Sequence, residues 1–471
     1  MTVRTEPIAP SLRRGRGRPD IATLLSSVGP GDGMMAELKP PLTDVEALAE
    51  AYRCLECGGP EIAAPCQTAC PADVDVAGFV GAIARGQVER ATDLILEANP
   101  LGGSCARVCP TEILCEGACV LEAARQRPVD IGRLQRYAAD RILLAPLHAV
   151  TIARPANSFR VAVIGAGPAG LACAAMLAPK GYRVTVYDAR PEVGGLARYA
   201  IAPYRLWSEP LPQEMRRLEA LGVLFELGHA LETPEELALL EGETEAIFLA
   251  VGLGPDIPAS IPGDGLDGVY ESLPFIERIK MGRPPHVGAR VAVIGGGNTA
   301  IDVAREALRL GATEVTLVYR RTEAEMPAYA YEVGEARQEG VRFLWLVEPR
   351  CFLGEDRLRA LEGQVMRLGE PDASGRRRPE PLVGKTCTVA IDTAVKAMGQ
   401  SPRLPFLQSI SGLAVSHGRI VADLESGRTG NRRYFAGGDA LNGGGTVVEA
   451  VRMGKVAAAG IHRTLTGGDG L

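Results

Sequence analysis

The sequence predicts an α/β protein in which a small helical domain precedes two Rossmann-like nucleotide-binding domains. Three observations support this. Eight of the 11 cysteines lie between Cys54 and Cys119. Two nearly superimposable segments, which begin at Arg160 and Arg290, each consist of a short apolar run, a Gly-rich turn and an Ala-rich stretch. A chain of 471 residues also exceeds the size at which one hydrophobic core usually stops growing.

The charge and hydropathy of the chain argue against several classes of protein. The net charge of −6 gives no support to nucleic-acid binding. No apolar run reaches the roughly 18 residues of a membrane span, and the N-terminus lacks the apolar segment of a signal peptide. We therefore expect a cytoplasmic protein. In such a reducing compartment, densely placed cysteines indicate metal ligation rather than disulfides.

The region before the first Gly-rich turn divides into two parts. Residues 1–45 include an Arg- and Gly-rich stretch from Arg13 to Pro19 and show no sustained period, which predicts an extended arm. This arm is either a solvated terminus or a segment that lies on a partner. Residues 46–145 alternate cysteine-bearing loops with helical patterns, as in Val76 to Asn99, where apolar residues recur every three or four positions. A small helical domain built around metal sites follows from this pattern.

Each repeated segment has the small residues of a dinucleotide-binding turn. These are Gly165, Gly167 and Gly170 in the first segment and Gly295, Gly297 and Ala300 in the second. The first residue allows the tight turn, the second lets the backbone approach a pyrophosphate, and the third lets the helix pack closely on the strand. Each helix would present its N-terminus to the phosphates. Two such units predict two dinucleotides bound at once.

The residues that follow the second strand of each unit distinguish the two sites. Asp188 ends that strand in the first unit, where a carboxylate can accept hydrogen bonds from a ribose, as in the adenosine part of FAD. The second unit has Arg320 and Arg321 instead, and a guanidinium matches the oxygens of a 2′-phosphate. This favours NADPH, with NADH as the alternative in which the arginines only face solvent.

A third Gly-rich element lies near the C-terminus. Gly437, Gly438 and Asp439 precede a further glycine run and Thr446. An acid after paired glycines can hold the ribityl or pyrophosphate part of a flavin. The helix predicted to begin near Thr446 would direct its positive end at the flavin ring, where the reduced form is anionic.

The cysteine spacing suits iron–sulfur ligation. The pattern is Cys54-x2-Cys57-x8-Cys66-x3-Cys70-Pro71, followed by Cys105-x3-Cys109-Pro110-x4-Cys115-x3-Cys119. Clusters of the [4Fe-4S] type take four ligands, which short loops ending in Cys-Pro commonly supply. Tetrahedral zinc is the alternative for sets of four cysteines. Iron–sulfur is favoured because an electron carrier belongs beside a flavin.

From Cys54 onwards the chain resembles the family that contains the glutamate synthase small subunit and the N-terminal half of dihydropyrimidine dehydrogenase. The matching motifs are Gly194-Gly195-Leu196 through Tyr204-Arg205-Leu206, Tyr319 through Pro327, and Gly437 through Thr446. The resemblance implies a glutathione-reductase-like arrangement in which an NAD(P)H domain interrupts an FAD domain. On this basis we assign residues 155–287 and 396–471 to the FAD domain and residues 288–395 to the NAD(P)H domain.

The motifs and the resemblance together give the candidate site residues. For FAD they are Gly165, Gly167, Pro168, Ala169, Gly170, Asp188, Gly195, Leu196, Arg205, Gly252, Gly438, Asp439, Thr446 and Val447. For NAD(P)H they are Gly295, Gly297, Asn298, Thr299, Ala300, Arg320 and Arg321. The resemblance implies that Cys54, Cys57, Cys66 and Cys119 hold one [4Fe-4S] cluster and that Cys70, Cys109, Cys115 and Gln135 hold the other. Cys105 is then spare.

These features predict an electron-transfer oxidoreductase. A nicotinamide releases two electrons as a hydride and an iron–sulfur cluster accepts one, so a flavin is needed between them. A thiol-disulfide reductase would need a cysteine pair beside the flavin, and Cys173 stands alone in a helix where it should pack as an apolar residue. Because no further catalytic site is evident, we expect a larger catalytic subunit or a ferredoxin-like protein as the electron partner.

Overall fold

The computed structural model describes residues 37–59, 62–143, 157, 159–207, 210–231, 233–372 and 375–467. Most of the predicted arm lies outside these residues. Its described end contacts the helical domain, because the Lys39 ammonium donates hydrogen bonds to the Cys109 carbonyl oxygen (3.0 Å) and to the Thr111 hydroxyl (2.8 Å). Glu37 forms an ion pair with Arg136 at 2.5 Å.

Helices make up the N-terminal part and flank the strands of the rest. In chain order, the α-helices are α1 (Asp44–Ala51), α2 (Pro65–Thr68), α3 (Val76–Ala84), α4 (Val88–Ala98), α5 (Gly102–Val108), α6 (Val120–Ala123), α7 (Ile131–Leu143), α8 (Pro168–Leu177), α9 (Leu196–Tyr199), α10 (Pro210–Ala220), α11 (Pro234–Glu243), α12 (Ser272–Lys280), α13 (Asn298–Arg309), α14 (Ala330–Gln338), α15 (Leu404–Ser409), α16 (Asp439–Asn442) and α17 (Val447–Thr466). Short 3-10 turns lie at Thr111–Ile113, Ala178–Lys180 and Glu323–Glu325.

The strands follow the same order. They are β1 (Arg160–Ile164), β2 (Arg183–Asp188), β3 (Leu224–Leu227), β4 (Ala246–Leu249), β5 (Val269–Glu271), β6 (Arg290–Ile294), β7 (Glu314–Tyr319), β8 (Arg342–Trp345), β9 (Val347–Gly354), β10 (Leu358–Pro371), β11 (Arg377–Ala390), β12 (Thr393–Lys396), β13 (Val415–Ser416), β14 (Arg419–Ile420) and β15 (Tyr434–Ala436).

Sequence signals at the helix ends explain where several helices begin. Thr43 and Glu46 form a reciprocal capping box at the start of α1, and Thr446 and Glu449 form another at the start of α17. Pro168 occupies the first turn of α8, where a missing N–H costs nothing and the fixed φ suits the helix. The helix that is predicted to begin near Thr446 therefore begins directly after that residue.

Two parallel sheets form the nucleotide-binding part. The first has the strand order β15-β4-β1-β2-β3 and the second the order β5-β12-β6-β7-β8. Strands β1 and β6 are almost wholly buried, as expected of parallel strands with both faces covered. Strands β5 to β12 fall between β4 and β15 in the chain, so the second domain is inserted into the first. This confirms the predicted fold class.

Two smaller antiparallel elements accompany these sheets. Strands β9, β10 and β11 form a three-stranded sheet in the order β11-β10-β9, and β13 pairs with β14. The sheet begins beside the second nucleotide domain, where Leu346 donates its N–H to the Arg321 carbonyl oxygen at 3.1 Å. The turn between β10 and β11 also lies beside the end of β7, because Arg321 pairs with Asp372 at 2.9 Å.

The helical domain and the first nucleotide domain share one hydrophobic cluster. Phe79 and Ile95 of the helical domain belong to the same buried cluster as Val163 and Phe435 of the first sheet. Helix α17 packs on α8 at Gly454, where an added Cβ would lie 2.2 Å from the Ala169 carbonyl oxygen. Among the described helices, none combines the length and the apolar character needed to cross a bilayer.

Candidate functional site

Four thiols line a single cavity in the helical domain. Cys54 follows α1, Cys57 follows in the next loop, Cys66 lies in α2 and Cys119 caps α6. The rest of the lining is largely apolar and includes Leu55, Val76, Val80, Leu121, Val129 and Ile131. Burial raises the pKa of Cys66 to about 11, and the neighbouring Cys54 and Cys119 add to the shift. Such thiols ionise readily only when a bound metal compensates the charge, so this donor set fits an iron–sulfur cluster.

Three further thiols form a second group. Burial, followed by the charges of Glu116, Cys109 and Cys70, raises the pKa of Cys115. A hydrogen bond with Cys105 and burial raise the pKa of Cys109. The three thiols that the resemblance assigns to one cluster are therefore close together, and the buried Cys105 lies beside Cys109 as a fourth thiol.

Gln135, the predicted eighth ligand, lies on α7 against α5. Its amide Nε2 donates a hydrogen bond to the Gly102 carbonyl oxygen at 2.7 Å. Helix α5 begins at Gly102 and ends directly before Cys109, so the amide contacts the element that carries part of the second thiol group. Within the described residues, no group of three or more His, Cys, Asp and Glu side chains is close enough together to hold a single metal ion. The ligand role of Gln135 stays a prediction.

The first Gly-rich turn has the geometry that dinucleotide binding requires. Gly165 has φ +111°, and a Cβ on Gly170 would lie 1.9 Å from the Gly165 carbonyl oxygen. Asp188 ends β2 and accepts the Ala166 N–H (2.7 Å) through one oxygen and the Arg190 N–H (2.8 Å) through the other. The carboxylate thus holds the turn in place at the position where the sequence predicts a ribose.

The other predicted flavin segments converge on this turn. A Cβ on Gly195 would lie 3.0 Å from the Gly167 Cα, and a Cβ on Gly438 would lie 3.1 Å from the Ala169 Cβ. Asp439 accepts the Gly445 N–H at 3.2 Å, and burial raises the pKa of its carboxyl group. The closely spaced backbones leave a cradle that side chains would fill. The remaining predicted contacts lie within or beside these segments, namely Pro168, Leu196, Gly252, Thr446 and Val447.

The Arg205 side chain contacts two carboxylates of the inserted domain. Its guanidinium Nε donates to Asp302 Oδ1 at 2.6 Å, and its Nη2 lies 2.9 Å from Glu332 Oε2. The Tyr204 hydroxyl donates to the same Asp302 oxygen at 2.6 Å. Asp302 and Glu332 belong to α13 and α14, so Arg205 joins the FAD-type domain to the inserted domain. Contact with a flavin stays a prediction.

The second Gly-rich turn leads into α13. Gly295 has φ +147°, and a Cβ there would lie 2.1 Å from the Ala397 carbonyl oxygen. Gly297 caps α13, which begins with Asn298, Thr299 and Ala300. The Asn298 Oδ1 accepts the Tyr329 N–H at 3.0 Å. Tyr329 in turn stacks on Tyr331, with ring centroids 5.9 Å apart.

The two arginines after β7 have different surroundings. The Arg321 side chain is only 8% exposed; it forms an ion pair with Asp372 at 2.9 Å and donates to the Arg377 carbonyl oxygen at 2.8 Å. The Arg320 side chain is 51% exposed and pairs with Glu348 at 3.1 Å. Arg321 therefore anchors the β10–β11 hairpin, whereas Arg320 can turn towards a nucleotide.

Two family models match the chain in agreement with this geometry. Residues 32–145 match dihydropyrimidine dehydrogenase domain II, a 4Fe-4S cluster domain. Residues 159–454 match pyridine nucleotide-disulphide oxidoreductase. The glutamate synthase [NADPH] small chain of Escherichia coli K12 is 35% identical over 446 residues, which cover 91% of this chain and 93% of that protein. The chain belongs to the glutamate synthase small chain family. It is an NAD(P)H-dependent oxidoreductase of the flavin class with a 4Fe-4S domain.

Other members of this family are longer. The oxidoreductase AegA of Escherichia coli K12 is 38% identical over 442 residues, and the chain spans 66% of its length. The structure of Mycobacterium tuberculosis FprA in complex with NADPH superposes with a TM-score of 0.55 and 18% identity, covering 66% of this chain and 85% of FprA. This similarity shows the fold of the two nucleotide-binding domains.

Three residues of this family member escaped the sequence reasoning. Tyr329 reaches the second Gly-rich turn, Glu214 of α10 accepts hydrogen bonds from the Ser104 N–H (2.9 Å) and hydroxyl (2.6 Å), and Lys455 of α17 contacts the helical domain. The sequence signal for Glu214 and Lys455 was a charged residue on an otherwise apolar helix face. Cys173 is fully buried on α8, as predicted for a core residue.

Proposed function

We propose that this chain oxidises NADPH at an FAD and passes the electrons one at a time through two [4Fe-4S] clusters to a larger catalytic subunit, as a glutamate synthase small subunit would. The observation that carries the proposal is the cavity lined by Cys54, Cys57, Cys66 and Cys119. A second thiol group lies in the same helical domain, which shares its hydrophobic cluster with the first nucleotide domain. Two thiol groups in a domain that packs on the first nucleotide domain would allow electrons to pass from the flavin to iron–sulfur clusters.

The residues of the chain would hold each group by distinct chemistry. The cavity thiols would hold one cluster, and Cys70, Cys109, Cys115 and Gln135 the other. The turn from Gly165 to Gly170 and the N-terminus of α8 would bind the FAD pyrophosphate, with Asp188 accepting from the ribose. When bound, the flavin converts a two-electron hydride into single electrons. Arg205 fixes the position of the inserted domain relative to this FAD-binding turn through its ion pair with Asp302.

The preference for NADPH over NADH is supported by Arg320. Its side chain lies after β7, where the 2′-substituent of the adenosine ribose is expected, and the exposed Glu348 carboxylate competes for it. The ion pair with Glu348 is exposed, and exposed ion pairs contribute little to stability. A 2′-phosphate, whose oxygens match the guanidinium, can therefore displace the Glu348 carboxylate. NADH, which lacks the phosphate, would gain nothing from this side chain.

The proposed partner follows from the family relationship. Alignment with the glutamate synthase small chain covers more than nine-tenths of both chains, which supports a large glutamate synthase subunit as partner. The match to dihydropyrimidine dehydrogenase domain II supports the alternative of an electron-input subunit of that enzyme, or of a 2-oxoacid or ferredoxin oxidoreductase complex. We propose the cytoplasm as the compartment, because all the cysteines are free thiols.

Composition analysis after anaerobic purification tests the proposal directly. We expect one FAD and about eight iron atoms with matching sulfide per chain, as two four-iron clusters require. NADPH should bleach the flavin absorbance, and a tetrazolium or viologen dye should then be reduced without any partner. Stoichiometric zinc in place of iron would contradict the proposal, as would the formation of glutamate by the isolated chain without a partner.

Cysteine variants separate the two halves of the electron path. Cys115→Ser should remove one cluster while NADPH still reduces the flavin and the dye, whereas transfer to the large subunit should fail. Cys351→Ser is the matched control, because Cys351 lies on β9 in the inserted domain. Addition of the large subunit of glutamate synthase or of a ferredoxin to the wild-type chain then identifies the acceptor.

A further inference from the structure

Lys455 connects the helix that follows the proposed flavin element to the second thiol group. It lies on α17, nine residues after Thr446, which corresponds to about 14 Å along the helix axis. Its ammonium Nζ donates hydrogen bonds to the Ala72 carbonyl oxygen at 2.6 Å and to the Ala98 carbonyl oxygen at 2.8 Å. The ammonium group is therefore fixed at the junction between the FAD-type domain and the helical domain.

The two carbonyl groups place this charge beside Cys70. Ala72 lies two residues after Cys70, in the turn that follows α2, and Ala98 ends α4. Burial lowers the pKa of the Lys455 ammonium group, whereas the charges of Asp73 and Cys70 oppose that shift. The hydrogen-bonding partners that the structure shows for Nζ are carbonyl oxygens, which favour the protonated, three-donor form.

A fixed cation near a thiolate set has a defined electrostatic effect. One-electron reduction of a cluster adds one negative charge, and a nearby positive charge stabilises that state more than the oxidised one. The cavity of Cys54, Cys57, Cys66 and Cys119 has no lysine or arginine in its lining among the described residues. Lys39, whose charge opposes the rise in the pKa of Cys109 and Cys115, is a second cation at the group that Lys455 approaches, so the two thiol groups differ in the number of nearby positive charges.

We propose that Lys455 is a positioning residue that holds its ammonium charge beside Cys70 and thereby raises the reduction potential of the cluster at Cys70, Cys109 and Cys115 above the value it would have without this charge. The inference rests on the proposed function, because it assumes a cluster there. The electron comes from NADPH through the flavin, the cluster gains one electron, and no bond forms or breaks at Lys455. The effect favours electron entry at the second thiol group.

The test is a redox titration of the anaerobically purified holoprotein, followed by electron paramagnetic resonance. In Lys455→Met the midpoint potential of one cluster should become more negative, while that of the other cluster and the rate of flavin reduction by NADPH stay unchanged. At a fixed NADPH concentration, the fraction of that cluster reduced should fall severalfold. Lys455→Arg, which keeps the charge, should behave like the wild type.

Two further variants control for structural effects. Lys455→Gln keeps a hydrogen-bond donor without the charge, so it should show the same shift as Lys455→Met even if the methionine variant assembles poorly. Arg463→Met removes an exposed cation from the same helix and should shift neither potential. Unchanged potentials in both neutral variants, or equal shifts of both clusters, would overturn the inference. Absence of iron–sulfur signals in the wild type would instead overturn the proposed function.

Discussion

The two nucleotide-binding units begin with the same five residues, Arg-Val-Ala-Val-Ile, yet they differ in the turn and at the end of the next strand. In the first unit the third small residue is Gly170, where even a Cβ would collide with the backbone of the turn; in the second it is Ala300, which already carries one. Asp188 is the last residue of β2, which pairs with β1, whereas Arg320 directly follows β7, which pairs with β6. The scaffold is common to both units, and we propose that the residues at the end of the second strand determine which nucleotide each unit binds.

Replacing Gly170 with Ala should produce the largest effect. The new Cβ would lie 1.9 Å from the Gly165 carbonyl oxygen, so helix α8 and the turn must separate. Overpacking of this kind costs about 1–3 kcal/mol. We expect FAD content to fall at least about fivefold, measured by flavin absorbance per polypeptide. Ala300→Gly is the matched change in the second unit and should leave FAD content unchanged; equal losses in both would refute the difference.

The contact of the first unit with the helical domain should depend on pH. Glu214, from the first unit, is fully buried against Ser104, and burial raises its pKa from an ordinary value of 4.5 to about 7. Between these values the folded state holds a proton that the unfolded state has released, so the free energy of unfolding falls as pH rises and is constant above pH 7. The full change is about 3 kcal/mol.

Glu214→Gln removes this titration. The melting temperature of the variant relative to that of the wild type should therefore increase between about pH 4.5 and pH 7 and then stay level. Flavin release on heating provides the measurement. Glu332→Gln tests the contact between the two units separately, because Glu332 pairs with Arg205 and burial raises its pKa as well. Parallel wild-type and Glu214→Gln profiles would show that Glu214 does not carry the effect.

Arg320→Ala should sharpen the assignment of the second unit. A hydrogen bond to a charged group contributes about 1.5–3 kcal/mol, so the KM for NADPH should rise about tenfold or more while that for NADH stays the same. Arg321→Ala should instead lower the melting temperature, because Arg321 holds the β10–β11 hairpin through Asp372. Steady-state dye reduction with both nucleotides provides the comparison. A rise in both KM values for Arg320→Ala would mean that this side chain does not recognise the phosphate.

Tyr329 offers the smallest expected change. Its backbone N–H donates to Asn298, which follows the second turn. Burial raises the pKa of its hydroxyl group, and the next largest cause is the charge of Glu449 at the start of α17. The ring therefore lies between the two units. Because an aromatic pair contributes about 0.5–1.5 kcal/mol, Tyr329→Ala should slow flavin reduction by NADPH up to about tenfold. Tyr329→Phe keeps the stack and should restore most of the rate in a stopped-flow measurement, whereas equal slowing would assign the effect to the hydroxyl.

Local patterns were sufficient for much of the site. The two apolar runs and their glycines predicted β1, β6 and the turns after them, because strand burial and tight turns depend on a few consecutive residues. The role of Arg321 could not be predicted in this way. Its partner Asp372 is 51 residues away in the chain. Arg205 likewise matched a flavin motif, whereas the structure shows it bonded to Asp302 in the inserted domain.

The sequence by itself determined the fold class and the positions of the clustered thiols, because these depend on periodicity, small residues at fixed spacing and cysteine placement, whereas the insertion of one nucleotide domain in the other was predicted from the resemblance to a known family. The tertiary structure alone decided that the Arg320 side chain stays exposed while that of Arg321 is buried, and that Lys455 reaches the loop after Cys70. Such contacts join residues up to 383 positions apart. They depend on how the helices pack, and no local pattern encodes that distance.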